Sequence, residues 1–367
     1  MYKRSFRFAG FFVFGLLAFV TFAATVVPFL SSKQWYVRVF DYPRLQTLAI
    51  AVVALGWYAV FYFKRGKCGV VFVAMFAVAI AVQGYNAWPY TPLGLKQVLQ
   101  SDTPPDEPGT VRMFICNVLQ TNTEYNRVLE KIDAYDPDIV ITTESDLTWQ
   151  RALQPIEGRY PHRVAVPQDN TYGMHLYSRL PLSNPDVRFL VEPDIPSIRT
   201  RVRLPSGEWI TLYIVHPRPP VPTEADDSKE RDAEIVLVAK EARRDSGGVI
   251  VAGDFNDVAW SATTELFQEV SGLLDPRRGR GFFNTFHARI PIFRWPLDHI
   301  FHSNHFKLVE IERVGPVNSD HFPMYVQLHY APQEKHEQPE VKESANTEKK
   351  ANETIRKGKQ DPDAPGE

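Results

Sequence analysis

The sequence contains little cysteine, and this limits what can hold the fold together. Its 367 residues include two cysteines, Cys68 beside an apolar segment and Cys116 within a predicted strand. Two cysteines in such different settings do not predict a pair, so the sequence has no disulfide framework. Cysteine usage is therefore uninformative about the redox compartment.

Net charge is nearly absent as well, and the central part of the chain has no basic excess. The formal charge is −2 for the whole chain, and residues 105–330 contain 24 Lys and Arg against 32 Asp and Glu, which leaves −8. Non-specific binding to duplex nucleic acid draws on a basic surface, so this balance lowers the weight of that function. The chain also lacks a Gly-x-Ser-x-Gly elbow, which argues against a serine hydrolase.

Charged residues are missing from three long stretches near the beginning of the chain. Residues 8–30, 45–63 and 69–88 contain no Asp, Glu, Lys or Arg. Each stretch has roughly the 20 residues that a helix needs to cross hydrocarbon, so we predict three transmembrane helices. A cleaved signal peptide is the alternative for the first stretch, but that stretch exceeds the roughly 7–15 residues of a signal-peptide core and lacks a small-x-small cleavage site.

Basic residues flank these stretches unevenly. Three lie within positions 3–7, before the first stretch, and three within positions 64–67, between the second and third. Short loops rich in Lys and Arg stay in the cytoplasm, although the loop at 31–44 also carries three basic residues. With three spans, everything after residue 88 is predicted to lie on the extracytoplasmic side.

Composition divides the chain into four parts. We predict a membrane anchor at residues 1–88, a proline-rich acidic linker at 89–109, a folded domain at 110–330 and a tail at 331–367. The linker, with its "SDTPPDEPG", should hold the folded domain off the bilayer. The tail has seven basic and nine acidic residues and no aromatic residue. It buries too little apolar surface to order itself, so we predict that it is disordered.

Between linker and tail, short apolar runs alternate with polar helical stretches, which predicts one α/β domain. Strands are predicted at residues 111–118, 138–143, 172–177, 198–204, 209–216, 248–252, 297–301 and 324–328. Helices are predicted at residues 123–134, 225–244 and 263–270.

Polar residues stand at the ends of several predicted strands. They are Asn117, Glu144, His216, Asp254, Asn256, Asp298, Asp320 and His321. In α/β sheets, binding groups gather in the crevice at strand ends. Carboxylates and amides suit Mg²⁺, which completes its coordination with water and substrate phosphate. Each residue alone has an ordinary interpretation, such as a turn at 253–256, but their order along the chain favours one shared site.

These residues and their neighbours resemble the endonuclease/exonuclease/phosphatase superfamily of metal-dependent phosphoesterases. The motifs are "GDFN" at 253–256, "LDHIF" at 297–301 and "SDH" at 319–321. "YGMHLYSRLPL" is similar to the family's Gly-x-x-x-x-Ser-Arg strand, and "HPRPP" with "GDFNDVAWS" resembles its membrane-anchored bacterial branch. The resemblance covers residues 111 to 330. It implies a four-layered α/β sandwich, in which two β-sheets pack face to face with helices outside.

The resemblance also implies a metal site. Glu144 resembles the principal metal ligand, Asn117 is similar to the amide that supports the site, and Asp320 resembles a further metal-associated carboxylate. The implied ion is Mg²⁺, with Mn²⁺ as an alternative. Some members have an acidic residue two positions after the first Asn, where this chain has Leu119, which puts a second metal in doubt.

Five residues resemble the family's catalytic and phosphate-binding groups. Asp254 resembles the residue that orients or deprotonates the attacking water, and Asn256 resembles a ligand of phosphate oxygen. His321 is similar to the histidine at the scissile phosphate, with Asp298 as the carboxylate that fixes its tautomer. His216 matches a position that serves as acid or phosphate ligand. A carboxylate behind an imidazole favours the charged form that stabilises phosphate.

The expected protein is therefore an integral membrane, Mg²⁺-dependent phosphoesterase of the bacterial inner (plasma) membrane with an extracytoplasmic active site. Its expected partners are the lipid bilayer and a phosphate-ester substrate. The tether and the acidic domain favour a lipid phosphate or pyrophosphate over nucleic acid, and the sequence identifies no protein partner. The alternatives are a nuclease acting on DNA or RNA and, in another class, a non-catalytic membrane scaffold that retains the fold.

One loop carries a separate hypothesis. Residues 276–296, "PRRGRGFFNTFHARIPIFRWP", contain five arginines and several aromatic residues directly before the Asp298 strand. An ordinary surface loop is one interpretation. The other is a substrate-binding or membrane-facing lip, in which Arg277, Arg278 and Arg280 engage phosphate and aromatic side chains enter lipid.

Overall fold

The structure is a computed structural model that describes residues 2–30, 32–62, 66–104 and 106–359. The basic loop predicted around residues 64–67 lies partly outside the described residues, as do residue 105 of the linker and residues 360–367 of the tail.

Helices lie at both ends of the described chain and between the strands. They are α1 (Tyr2–Val26), α2 (Trp35–Arg38), α3 (Arg44–Tyr62), α4 (Gly66–Ala87), α5 (Tyr125–Tyr135), α6 (Leu147–Ala152), α7 (Lys229–Arg244), α8 (Ala262–Ser271) and α9 (Thr347–Lys359). The strands are β1 (Thr110–Asn117), β2 (Ile139–Thr143), β3 (His162–Val166), β4 (Met174–Ser178), β5 (Leu182–Arg188), β6 (Ser197–Arg203), β7 (Trp209–Val215), β8 (Val249–Asp254), β9 (Asp298–His302), β10 (Phe306–Arg313) and β11 (Met324–Tyr330).

The strands form two sheets that pack face to face. One sheet has the order β10-β11-β1-β2-β4-β3 and the other β5-β6-β7-β8-β9. The core between them includes Ile115 and Ile141 from the first sheet and Leu212 and Ile250 from the second, all at most 2% exposed. The outer face of the first sheet packs on α5 and α6, and that of the second on α7 and α8. This arrangement confirms the predicted four-layered sandwich.

All eight predicted strands are present, with ends that differ by one or two residues. Three further strands, β3, β5 and β10, were not predicted. Their side chains are mostly half-buried or exposed. The reason is that β3 and β10 are the edge strands of the first sheet and β5 is an edge strand of the second. Edge strands of this kind carry polar residues and therefore give no apolar run for sequence analysis to detect.

The helices α1, α3 and α4 form a bundle before the sandwich. Small buried residues, Ala18, Ala51, Ala54 and Ala79, let the helices approach closely. Two segments, Gly10–Phe29 and Gly69–Tyr90, are long and apolar enough to cross a membrane. A third span exists if Trp35–Asp41 and Arg44–Val60, which meet at a bend of 64°, count as one.

Two predictions about the chain outside the sandwich need correction. The linker does not hold the domain away, because it runs along the sandwich: Val98 is fully buried and Ser101 N donates to Leu308 O at 2.7 Å. The predicted disorder of the tail is wrong for α9, which packs on α7 with Ala351 fully buried. Thr347 and Gly358 are also buried and Ile355 packs on the same apolar cluster, to which α7 supplies most of the surface.

Candidate active site

The candidate residues lie at or beside the ends of strands. These strand ends meet at one edge of the sandwich. The parallel strands β1 and β2 end together at Asn117 and Thr143, and the antiparallel β11 begins beside them. In the second sheet, β9 begins at Asp298 directly opposite Asp254, the last residue of β8. Parallel strands bring their carboxyl ends to one edge, and antiparallel neighbours bring their amino ends to the same edge. The topology therefore gathers the predicted positions at one place.

The Asn117 side chain links the two sheets at this edge. Its Nδ2 donates to Glu144 Oε1 at 2.7 Å and to Asp254 Oδ2 at 3.1 Å. Its Oδ1 accepts from Leu119 N at 3.0 Å. Because the amide oxygen is engaged in this way, Asn117 orients the two carboxylates and does not direct its oxygen at a cation. That geometry fits a supporting role at a metal site.

Glu144 follows β2 in the left-handed backbone region, with φ of 56°. Strained positions of this kind cluster at functional sites. Burial raises the pKa of Glu144 to about 7, and the carboxylates of Asp320 and Asp254 add to this rise against the hydrogen bond from Asn117. Mutually repelling carboxylates favour a bound cation, and an oxygen donor set suits a hard divalent ion. Glu144 and Asp320 therefore fit the metal that the resemblance implies.

Asp254 and Asn256 form a tight turn after β8. The Asn256 backbone has φ of 50°, and its N–H donates to Asp254 Oδ1 at 2.9 Å. The Asn256 side chain donates to Pro217 O at 3.0 Å, which leaves the second amide hydrogen of Nδ2 for a ligand. Burial raises the pKa of Asp254, and the positive charge of His321 opposes that rise.

His321 and Asp298 form the carboxylate–imidazole pair that was predicted. His321 Nδ1 lies 2.7 Å from Asp298 Oδ2, and His321 Nε2 lies 3.5 Å from Asp254 Oδ2. Burial by itself would lower the pKa of His321, but the two carboxylates outweigh it and raise the pKa to about 10. The imidazole is therefore charged at neutral pH and can stabilise a phosphate oxygen.

His216 has the opposite electrostatic character. Its Nε2 lies 3.9 Å from Asp254 Oδ2, and its ring packs on Tyr172 with centroids 5.4 Å apart. Burial lowers the pKa of His216 to about 4, although Asp254 acts against this. A neutral imidazole serves as a hydrogen-bond partner of phosphate, whereas a general acid would need its proton. The geometry favours the phosphate-ligand alternative.

Asp254, Asp298 and His321 also satisfy the spacing of a metal site, with one donor atom each within 4.8 Å of the others. These residues differ from the predicted metal set. A charged imidazole has no free lone pair, and His321 Nδ1 already faces Asp298. The three residues therefore form an ion-paired group in this structure, and the role of Glu144 and Asp320 as cation ligands stays a prediction.

The loop at 276–296 does not use its first arginines as predicted. Arg277 is 1% exposed and binds Asp275 and the Asp298 carbonyl. Arg280 donates to backbone carbonyls, and the Arg278 guanidinium lies 5.7 Å from the ring centroid of Tyr90. The prediction that these arginines engage substrate phosphate is wrong for Arg277 and Arg280, because internal hydrogen bonds occupy their guanidinium groups, and it stays a prediction for Arg278.

The later part of the same loop reaches the site through its aromatic residues. The Phe286 ring centroid lies 5.0 Å from that of His321, and Phe286 also stacks on Trp295 at 6.0 Å. Further along, Ile292 is 65% exposed and Phe293 50% exposed. We call Phe286, Ile292, Phe293 and Trp295 the apolar lip. It lies next to the catalytic groups, because Phe286 contacts His321.

Two hydroxyl groups that sequence analysis gave no role hold the site together. Ser319 Oγ donates to Asn117 O at 2.8 Å and accepts from His321 N at 3.0 Å. Thr285 Oγ1 accepts from Asp298 N at 3.2 Å. Ser319 stands inside the "SDH" motif, which was a usable signal, whereas nothing in the sequence near Thr285 indicates its contact with β9.

Comparison with known proteins adds a family to this geometry. Residues 111–321 match the sequence profile described as Endonuclease/Exonuclease/phosphatase family. A humanized D. rerio TDP2 is 15% identical, with a TM-score of 0.50, and the match covers 60% of this chain and 99% of that one. D. rerio TDP2 complexed with single-strand DNA product is 16% identical, with a TM-score of 0.50, and the match covers 60% of this chain and 99% of that one.

The human Nocturnin catalytic domain with bound sulfate is 18% identical, with a TM-score of 0.49, over 62% of this chain and 100% of that one. Among curated proteins, none matches. At these identities the two D. rerio TDP2 structures show the fold alone.

Proposed function

This chain belongs to the Endonuclease/Exonuclease/phosphatase family of metal-dependent phosphoesterases, and from that premise we propose that it is a membrane-anchored enzyme that uses Mg²⁺ to hydrolyse a phosphate mono- or diester. The observation that carries the proposal is the charge balance at the strand ends. Glu144, Asp254, Asp298 and Asp320 face a single charged imidazole, His321. Asp254 and Asp298 are buried and Glu144 and Asp320 partly buried, and this excess of negative charge fits a divalent cation and an anionic substrate together.

The side chains supply the groups that hydrolysis needs. Glu144 and Asp320 would hold Mg²⁺, which when bound neutralises charge on the phosphate oxygens. Asp254 orients the attacking water and accepts its proton, which its raised pKa favours. His321, kept charged by Asp298, stabilises a phosphate oxygen, and Asn256 and His216 donate to others.

A lipid phosphate or pyrophosphate is the favoured substrate class. The apolar lip around Ile292 and Phe293 supports it, since Gln46 Nε2 in the first turn of α3 donates to Ile292 O at 2.7 Å. This contact keeps the lip at the end of the helical bundle, where the surface of a bilayer would lie. A substrate in that surface would then meet the site directly, and the acidic domain gives no basic groove for nucleic acid.

Three membrane spans agree best with how the helices connect to the sandwich. The end of α1, the beginning of α3 and the end of α4 all lie beside the sandwich, through Lys33–Asp232, Gln46–Ile292 and Tyr90–Ala259 contacts. A bundle in which α3 runs opposite to α1 and α4 places the sandwich across the membrane from the N-terminus. The catalytic domain would then be extracytoplasmic.

Nucleic acid is the second candidate substrate, because a D. rerio TDP2 structure of the same fold contains a single-strand DNA product. A scaffold without catalysis is disfavoured, since side chains for the proposed base, phosphate ligands and metal ligands are all present. Activity of the full chain in detergent on bis-p-nitrophenyl phosphate, anionic phospholipid vesicles and single-stranded DNA separates these functions.

The decisive comparison is between wild type, Glu144→Ala, Asp254→Ala and Glu310→Ala, each with Mg²⁺, Mn²⁺ or EDTA. Loss of the catalytic base should lower kcat by about 10²–10⁴-fold, and EDTA should abolish turnover. Glu310 is an exposed carboxylate on β10 and serves as the matched control. Turnover that survives EDTA, or full activity in both site variants, would contradict the proposal.

A further inference from the structure

A residue of the helical bundle reaches the main chain of the catalytic turn. Tyr42, between α2 and α3, donates from its hydroxyl to Asn256 O at 2.8 Å. Arg231 Nη1, from α7, donates to the same carbonyl at 2.7 Å. Two donors from distant parts of the chain thus converge on one acceptor.

The orientation of this carbonyl is tied to the catalytic groups. Asn256 stands two residues after Asp254, its N–H holds the Asp254 carboxylate, and its side chain holds Pro217 O. The left-handed backbone at Asn256 is a strained conformation that surrounding contacts must maintain. The carbonyl and the N–H of Asn256 lie in adjoining peptide groups of one turn, so contacts that hold the carbonyl also restrain the turn that carries the amide and the Asp254 carboxylate.

Tyr42 is itself held firmly in place. Its ring packs edge-on against Trp295, with centroids 5.4 Å apart. The preceding residue, Asp41, accepts from Trp260 Nε1 through its main-chain oxygen at 2.8 Å. The Asp41 carboxylate lies between Arg38 at 3.2 Å and Arg44 at 3.0 Å.

Further contacts dock the rest of this segment on the sandwich. Trp35 N donates to Asp226 O at 3.0 Å, and Ser228 N donates to Lys33 O at 2.9 Å. The Lys33 ammonium lies 2.7 Å from Asp232, the neighbour of Arg231. The segment from Lys33 to Arg44 is therefore attached at several points, and Tyr42 is the point that touches the catalytic turn.

We propose that the segment from Lys33 to Arg44 completes the active site and that Tyr42 is a positioning residue, which acts with Arg231 to fix the turn that carries Asp254 and Asn256. The inference rests on the proposed function, since it takes both residues to act on a phosphate ester. The helical bundle then contributes to turnover itself, even for a substrate dissolved in water. A simple tether would affect only substrates in the membrane.

The test uses the full chain in detergent micelles with water-soluble bis-p-nitrophenyl phosphate and Mg²⁺. Tyr42→Phe keeps the ring on Trp295 and removes the hydroxyl. We expect kcat to fall about 5–20-fold, because displaced catalytic groups cost rate, while KM changes less than about twofold. Tyr36→Phe is the matched control, since Tyr36 is 55% exposed on the same segment and keeps its ring contact with Trp35.

Thermal unfolding of each variant separates positioning from a loss of folded protein. If Tyr42→Phe does not fold, Trp260→Phe replaces it, because this change removes the hydrogen bond to Asp41 O and leaves every group of the catalytic turn unchanged. A kcat equal to wild type in the folded variant overturns the inference while the proposed function stands. A wild-type chain with no phosphoesterase activity overturns the proposed function and this inference with it.

Discussion

Two of the charge clusters among the described residues differ in balance. At the catalytic edge, Glu144 and its neighbouring carboxylates face one imidazolium. At the junction, by which we mean Lys33, Arg231, Asp232 and Asp257, two positive charges face two negative ones. Arg231 lies 2.9 Å from Asp232 and 3.1 Å from Asp257, and Lys33 lies 2.7 Å from Asp232.

The difference appears in the protonation behaviour of Asp232 and Glu144, whereas at Asp257 burial outweighs Arg231 and raises the pKa to about 6. Burial by itself would raise the pKa of Asp232, but Lys33 and Arg231 outweigh it and hold the pKa below its usual range. Burial raises the pKa of Glu144 to about 7, and no Lys or Arg contributes to holding it down. A buried carboxylate therefore does not indicate function by itself. The missing counter-charge distinguishes a binding site from a structural ion pair.

The largest expected effect comes from neutralising a carboxylate at the catalytic edge. Asp254→Asn should lower kcat by about 10³-fold, since it removes the proposed base. It should change the thermal midpoint of the metal-free protein little, because the lost repulsion from the other carboxylates is offset by the lost attraction to His321. Steady-state kinetics and a melting curve of the full chain test both parts, and a large drop in the midpoint would show that the two clusters behave alike.

Neutralising a carboxylate at the junction should lower the free energy of unfolding. Asp232→Asn leaves Arg231 with one buried partner fewer, and breaking a buried pair costs about 3–5 kcal/mol. The measurement is the urea midpoint of the folded domain signal. Glu241→Gln is the control, because its partly exposed pair with Arg188 should contribute less than about 1 kcal/mol. Equal shifts of the urea midpoint in Asp232→Asn and Glu241→Gln would contradict the contrast between the buried ion pair and the partly exposed one.

Metal addition should sharpen the comparison further. A divalent cation at ten times its dissociation constant stabilises the folded state by about 1.4 kcal/mol. We expect Mg²⁺ to raise the thermal midpoint of wild type and not that of Glu144→Gln, while Asp257→Asn at the junction keeps the response. A midpoint insensitive to Mg²⁺ and Mn²⁺ in wild type would contradict a metal site at Glu144.

The smallest expected effect is at the edge of the junction. Lys33→Met removes one of the two cations at Asp232, and since the Lys33 side chain is 25% exposed and Arg231 remains, the loss should be about 1 kcal/mol. A urea midpoint measured beside Asp232→Asn tests the ranking. A larger loss in Lys33→Met than in Asp232→Asn would reverse it.

The sequence predicted the fold class and the candidate site because both rest on local patterns. Buried strands of the two sheets are apolar runs, and each candidate side chain lies at the end of such a run, as Asn117 and Asp254 do. Strands β3, β5 and β10 escaped prediction because edge strands lack that pattern. The arginines of the 276–296 loop were misjudged for a related reason, since only the fold shows that Arg277 pairs with Asp275 inside the protein.

By itself, the sequence determined the apolar helices, an α/β domain and which residues stand at strand ends, since periodicity and composition act over a few neighbouring positions, and the resemblance to a family implied the sandwich. Only the tertiary structure decided how those residues balance in charge, that α9 is ordered and that Tyr42 reaches Asn256. Each of these depends on contacts between residues far apart in the chain, and a hydrogen bond or counter-charge has its effect only within a few ångströms. The catalytic edge thus has one imidazolium for several carboxylates, whereas the junction has two positive charges for two carboxylates.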